Sequence, residues 1–370
     1  PVKPIVFYID NSFPEKWKPA IRNAVLRWNK AFERIGFKNV MQAVDFPTND
    51  PNFDPDNFQY SCIRYLPTAT ENAMGPSWVD PRTGEIITAT VLVYNDVVNV
   101  INSWRFIQTS QLDPAARTLD MPDSILLPTL EYIVTHEVGH TLGLMHNMAS
   151  SAAIPTDSLR SASFTQKYGT TASIMDYARF NYVAQPTDKG VSLTPPELGV
   201  YDKYAIEWGY RVFPNSKSFR DDVKPLMALV ESHAHDPMYR YVLQQSRYRY
   251  DPTAIEEDLG DDAVKSSTYG LKNLEYILSH FDEWIPDGTD GTRKAKLYRQ
   301  MVSQAYGYAR NVYAVIGGIK LNQTTESSGI PRYEVMPKEK QRAAAMWLLQ
   351  EARKFGKRGV ESIENRLPQI

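Results

Sequence analysis

Residues 136–147, HEVGHTLGLMHN, restrict what this chain can become more than any other stretch. They contain H-E-x-x-H followed by x-x-G-x-x-H, five specified positions in eleven residues. Residues four apart share one face of a helix, so His136 and His140 can grip one metal ion together. Glu137 follows the first ligand and can reach a water on that metal. Gly143 can take the left-handed conformation that ends a helix, and the returning chain lets His146 supply a third nitrogen. Three histidines with one open position describe a catalytic zinc site, not a closed structural one. The residues before the motif also suit a helix. Asp123 and Ser124 can cap it, and Pro128 is tolerable only in its first turn. Leu130, Ile133, Val134, Val138 and Leu142 offer an apolar side to a core.

Residues 173–177, SIMDY, come next in the argument. A lone apolar methionine is usually core filler. Behind the long histidine motif it carries more weight, and here the sequence resembles the metzincin clan of zinc endopeptidases. The resemblance implies that Met175 forms the tight turn beneath the zinc ligands. It also implies that Tyr177 matches the tyrosine that astacins and serralysins place beside the metal. The stretches GPSWVDPRTGEII, SIMDYARFNYVAQP, LGVYDKYAIEWGY and DLGDDAVKSSTYGLKNL look like those of large bacterial, Bacteroidetes-type zinc-dependent metalloproteases. That family implies export to the periplasm, the cell surface or the medium. Asn147, after the third histidine, receives no catalytic role.

The order of elements predicts the fold. Residues 4–9 read as a buried strand. Over residues 15–35, Trp17, Ile21, Ala24, Val25, Trp28, Ala31, Phe32 and Ile35 fall on one helical stripe that Gly36 ends. Strands follow over residues 37–46 and 63–66, which predicts an α+β domain with the helix on one face of a mixed sheet. The metzincin resemblance implies the rest: a mostly parallel five-stranded sheet with an antiparallel edge strand, an active-site helix and a Met-turn. Residues 80–84, DPRTG, form a turn between residues 73–79 and the β-prone run 85–94, so these pair as a hairpin. Pro76 confines the first flank to an edge. By its place in the resemblance this flank is the rim above the cleft, so Gly75, Pro76, Ser77 and Trp78 are the expected strand to which a peptide adds. A short helix is expected near residues 100–106, a loop over 149–169, and a closing helix over 198–210. Pro195 and Pro196 precede that helix and Gly209 ends it.

A length of 370 residues suits two domains, drawn here as a catalytic domain at 1–213 and a mainly helical region at 214–370. Helices are expected near 262–282, 290–317 and 337–355. Tyr298, Val302, Ala305, Ala309 and Tyr313 form a core stripe in the second of these. Six acidic residues between Asp251 and Asp262 leave a Ca2+ site open, but they lack EF-hand spacing, and a solvated acidic loop fits better. The net charge of −2 gives no case for nucleic acid, and there is no membrane-spanning apolar run. Cys62 is the single cysteine, so no internal disulfide forms. The chain opens on proline and reads as a piece of a longer protein with flanking domains. The sequence thus predicts an endopeptidase acting on peptide or protein substrates, with Glu137 as general base and Tyr177 as the donor to the oxyanion. A catalytically silent zinc scaffold is the alternative, disfavoured by intact Glu137 and Tyr177. C-terminal helices that recruit a partner are another.

Overall fold

A computed structural model describes residues 3–366, except 196, 246, 247, 287 and 289, with side chains described as far as residue 354. The apolar run Ile5–Ile9 forms β1. After it come helices α1 (Lys18–Leu26) and α2 (Asn29–Glu33), then strands β2 (Met41–Asp45) and β3 (Ser61–Leu66). Both strands pair with β1 in parallel. Strand β4 (Ala73–Met74), β5 (Ser77–Val79) and the long β6 (Ile86–Tyr94) complete the sheet. β6 is parallel to β3, and β4 and β5 run antiparallel along its outer side. The expected mostly parallel sheet with an antiparallel edge is therefore present. The edge is two pieces rather than one strand, because Gly75 and Pro76 interrupt it and Pro76 has no N–H to offer a ladder.

The expected single helix over residues 15–35 is broken. α1 and α2 are separated at Arg27 and Trp28. Trp28 is fully buried, and its indole N–H donates to the Thr135 carbonyl at 3.1 Å. A buried indole needs such a partner, and the turn at Trp28 lets the ring reach across to the active-site helix.

Helix α3 (Val97–Thr109) is longer than expected and leads to α4 (Asp123–Thr141), which carries the histidines. The start of α4 differs from the sequence reading. Pro122 occupies the capping position, no side chain caps this end, and Asp123 pairs with Lys16 at 2.8 Å instead. Pro128 lies in the second turn, where it costs a backbone bond to Ser124. One face of α4 packs on α1 and the sheet, forming a core around Trp28, Ile63, Val91, Leu130, Val134 and Met175.

Residues 149–169 are no open loop. They wind through two 3-10 turns into α5 (Ala162–Tyr168), and Ile154, Leu159 and Thr165 are buried. α6 (Val200–Tyr210) runs one residue past Gly209, so Gly209 does not end it; Pro196 lies outside the described residues. α7 (Phe219–Ser232) was not foreseen and buries none of its residues.

A second core joins α3 to α8 (Ala263–Ser279), the single turn α9 (Phe281–Trp284), α10 (Gly291–Tyr313) and α11 (Lys338–Arg366). Its buried members include Phe106, Val183, Ile277, Phe281, Tyr308 and Trp347. On α10 the buried stripe is Leu297, Met301, Ala305, Tyr308 and Val312, while Val302 and Tyr313 are exposed. Gly270 on α8 explains the rotation. Any side chain there would overlap the Tyr308 ring, so the helices meet through that ring. A small hairpin, β7 (Ile319–Leu321) with β8 (Tyr333–Val335), precedes α11.

The acidic stretch near residue 251 is packed, not solvated. Asp251 is fully buried against Arg240 at 2.6 Å, Glu256 pairs with Arg249, and Glu257 pairs with Arg179. Asp258 is buried beside Asp176, and Ser151 bridges them by donating its N–H to Asp176 and its hydroxyl to Asp258.

Candidate metal centre

His136 and His140 lie one turn apart at the end of α4, their rings edge to face with centroids 4.8 Å apart. The helix stops at Thr141, and Gly143 is left-handed at φ +87, the conformation its place in the motif calls for. The Leu144 N–H returns to the Gly139 carbonyl at 3.1 Å, the closing bond of a glycine-terminated helix. That reversal brings His146 back to the other two. Its Nε2 is 3.0 Å from Nε2 of His140 and 3.3 Å from Nε2 of His136.

Each ring shows its other nitrogen to an oxygen. Nδ1 of His136 meets the Ile174 carbonyl at 2.7 Å, and Nδ1 of His140 meets the Leu144 carbonyl at 2.9 Å. Nδ1 of His146 meets Oε1 of Gln244 at 2.8 Å. The Gln244 amide cannot be the other way round, because its nitrogen donates to Glu256 at 3.2 Å. Carbonyl oxygens only accept, so each Nδ1 carries the ring proton and each Nε2 is a bare lone pair. Burial holds all three imidazoles below their ordinary range, His136 furthest, which keeps the rings neutral.

Three lone pairs that converge with no proton among them fit a cation. A tetrahedral zinc with nitrogens at about 2.0–2.1 Å spaces them roughly 3.3 Å apart, close to what these rings present. Among the described residues this is the one group of three or more His, Cys, Asp or Glu within reach of a single ion, so the acidic segment offers Ca2+ no comparable cluster.

Glu137 is mostly buried, and burial pushes its carboxyl up to about 7, against the pull of a hydrogen bond from the Gly75 N–H. Gly75 is a glycine because it must lie flat on the helix. A Cβ there would overlap the Glu137 carbonyl oxygen. Gly75, one of the residues expected on the substrate rim, thus also packs against the general-base candidate. Ser77 and Trp78 do lie on the edge, Trp78 largely exposed with its ring against Phe58.

Met175 is fully buried under the helix, where Gly139 leaves room that any side chain would fill. The Asn147 N–H donates to the Met175 carbonyl at 3.1 Å, joining the segment that carries His146 to the turn. Tyr177 follows, its ring centroid 4.5 Å from that of His146 and 5.5 Å from that of His136. Burial raises its phenol, so the hydroxyl keeps its proton at neutral pH.

Other residues at the site escaped the sequence reading. Asp202 of α6 accepts from the Ile174 N–H at 2.9 Å and the Ser173 hydroxyl at 2.6 Å, holding the turn from below. Asn147 ties the segment after His146 to residues 240 and 242, donating to the Arg240 carbonyl and accepting from the Val242 N–H. Gln244 and Asp202 carry no local signal, since their partners are distant in sequence. Gly139 did carry one, as the small residue between the two helical ligands.

A family model described as Met-zincin matches residues 118–366. No curated protein and no solved structure matches the chain.

Proposed function

The chain belongs to the Met-zincin family, and from that premise we propose that it is a zinc-dependent endopeptidase. The observation that supports this most directly is the convergence of three imidazole Nε2 atoms, with Glu137 next to the first of them in the chain. The chemistry supplied by bound Zn2+ is Lewis acidity, which acidifies a water and polarises the scissile carbonyl. His136, His140 and His146 would hold it through Nε2. A carboxyl with a pKa of about 7 suits both halves of general acid–base work at neutral pH. Glu137 takes the proton from the attacking water, keeps it while the C–N bond weakens, and delivers it to the leaving amine. The Gly75 N–H beside the carboxyl favours its charged form. Tyr177, protonated, donates to the carbonyl oxygen as it becomes negative. An extended peptide lies along the open side of β5. Action in the periplasm, at the cell surface or in the medium belongs to the same reading and rests on the family resemblance. Among the described residues no helix is long and apolar enough to cross a membrane.

The test is digestion of a peptide library by the zinc-loaded chain and by Glu137→Ala, with and without a chelator. Cleavage is expected to stop on chelation and to fall about 10²–10⁴-fold in Glu137→Ala, with zinc content unchanged. Near wild-type cleavage by Glu137→Ala would assign the proton transfer elsewhere.

A further inference from the structure

A cavity of about 310 Å³ lies between α3, α10 and residues 249–257. Two chains of contacts lead from its rim to His146 and Tyr177. Glu256 on its rim accepts from Gln244, which in turn accepts from His146. Glu257, also on the rim, pairs at 2.5 Å with Arg179. The Arg179 guanidinium lies 3.4 Å from the ring centre of Trp104, a wall of the cavity, and 5.5 Å from that of Tyr177.

Its chemistry is unbalanced. Glu256 is already held by Arg249 at 2.7 Å, and Glu257 by Arg179. Arg310 lines the cavity, is solvent-exposed and has no ion-pair partner among the described residues. Nη1 of Arg249 is buried and makes no hydrogen bond, and the same holds for Oε1 of Gln300 and Oδ1 of Asn311. An apolar occupant would leave the three buried atoms unpaired, which is costly. A carboxylate accepts from both arginines, and the amide N–H groups of the peptide that bears it match the two free carbonyl oxygens. We propose that this cavity is a subsite that binds a carboxylate of the peptide substrate. This rests on the peptidase reading above. The carboxylate comes either from an Asp or Glu side chain or from a free C-terminus, and the two sources present the same chemistry.

Matched fluorogenic peptides separate them. One series carries Glu, Gln or Lys at each position around the scissile bond, and another carries a free or an amidated C-terminus. Glu is expected to exceed Gln about tenfold in kcat/KM at one position, the gain of one charge-assisted hydrogen bond. In Arg310→Gln that ratio should approach one, and in Arg310→Glu it should invert in favour of Lys. A preference for the free acid alone, lost in the same variants, assigns the site to the C-terminus. Equal rates for Glu and Gln and for acid and amide would overturn the proposal. Binding of the same peptides to zinc-loaded Glu137→Ala, followed by fluorescence anisotropy, needs no turnover. Arg310-dependent selectivity there, with no cleavage by the wild type, would keep the subsite and remove the peptidase reading. Cleavage without selectivity would do the reverse.

Discussion

At the scale of residues, the metal centre was legible because its geometry is local. Five positions in eleven residues set a helical spacing, a stop and a return, and each appears as the spacing requires. Contacts made across the chain left no such trace, and Gly75 against Glu137 is one of them. Tyr177 tests the chemistry. An interaction made mainly in the transition state lowers kcat and leaves KM nearly alone. Tyr177→Phe keeps the ring beside His146 and removes only the donor. It is expected to lower kcat about 10²–10³-fold at full zinc occupancy, and an unchanged kcat would remove Tyr177 from the reaction. A second residue-scale expectation concerns Asp176 and Asp258. Burial, reinforced at Asp258 by the neighbouring Asp176 charge, raises both carboxyls, Asp176 from 3.8 to about 7. In that window the folded chain holds protons that the unfolded chain has released, so the pair stabilises less as pH rises. The depressed histidines act with the opposite sign. The difference between wild type and Asp258→Asn isolates the acids: over pH 4 to 7 the Tm of Asp258→Asn should fall less, or rise more, than that of wild type. Parallel curves would show that the pair does not titrate there.

Elements came through with uneven fidelity. β6 spans the residues its β-branched run marks, and the antiparallel edge lies where Pro76 confines it. The break between α1 and α2 was invisible because the apolar stripe runs on unbroken through Trp28; only the reach of its indole to α4 explains the turn. α10 kept its period and lost its phase, since the position of the stripe depends on Gly270 of another helix. The edge makes its own prediction. The Pro76 carbonyl accepts from the Thr90 N–H at 3.0 Å, so its polar groups face β6. Alternation then turns the Ser77 N–H outward, toward an added peptide strand. Ser77→Pro removes that donor and spares the pairing with β6. It should raise KM severalfold while Tm shifts little; an unchanged KM in a folded variant would refute the rim assignment.

Across the whole molecule, the site draws on residues far apart in the sequence. Gly75 comes from the sheet edge, the three histidines from α4 and its return, and Gln244 from residues beyond α7. The second core spans the same distance, with Phe106 packed on Phe281 at 5.9 Å between ring centres. Gln244→Leu is expected to weaken zinc binding about 10–100-fold, the usual cost of losing an orienting partner. Competition with a fluorescent chelator measures it, and wild-type affinity would mean that His146 is held by packing alone. The three histidines differ in one respect that reaches past stability. Two of them lean on backbone carbonyls, of Ile174 and Leu144, which no substitution can delete. The third leans on a side chain encoded 98 positions away. A single codon can therefore retune one ligand's basicity without disturbing the motif. Natural drift and laboratory selection have the same dial, and it sits outside the stretch anyone would think to mutate.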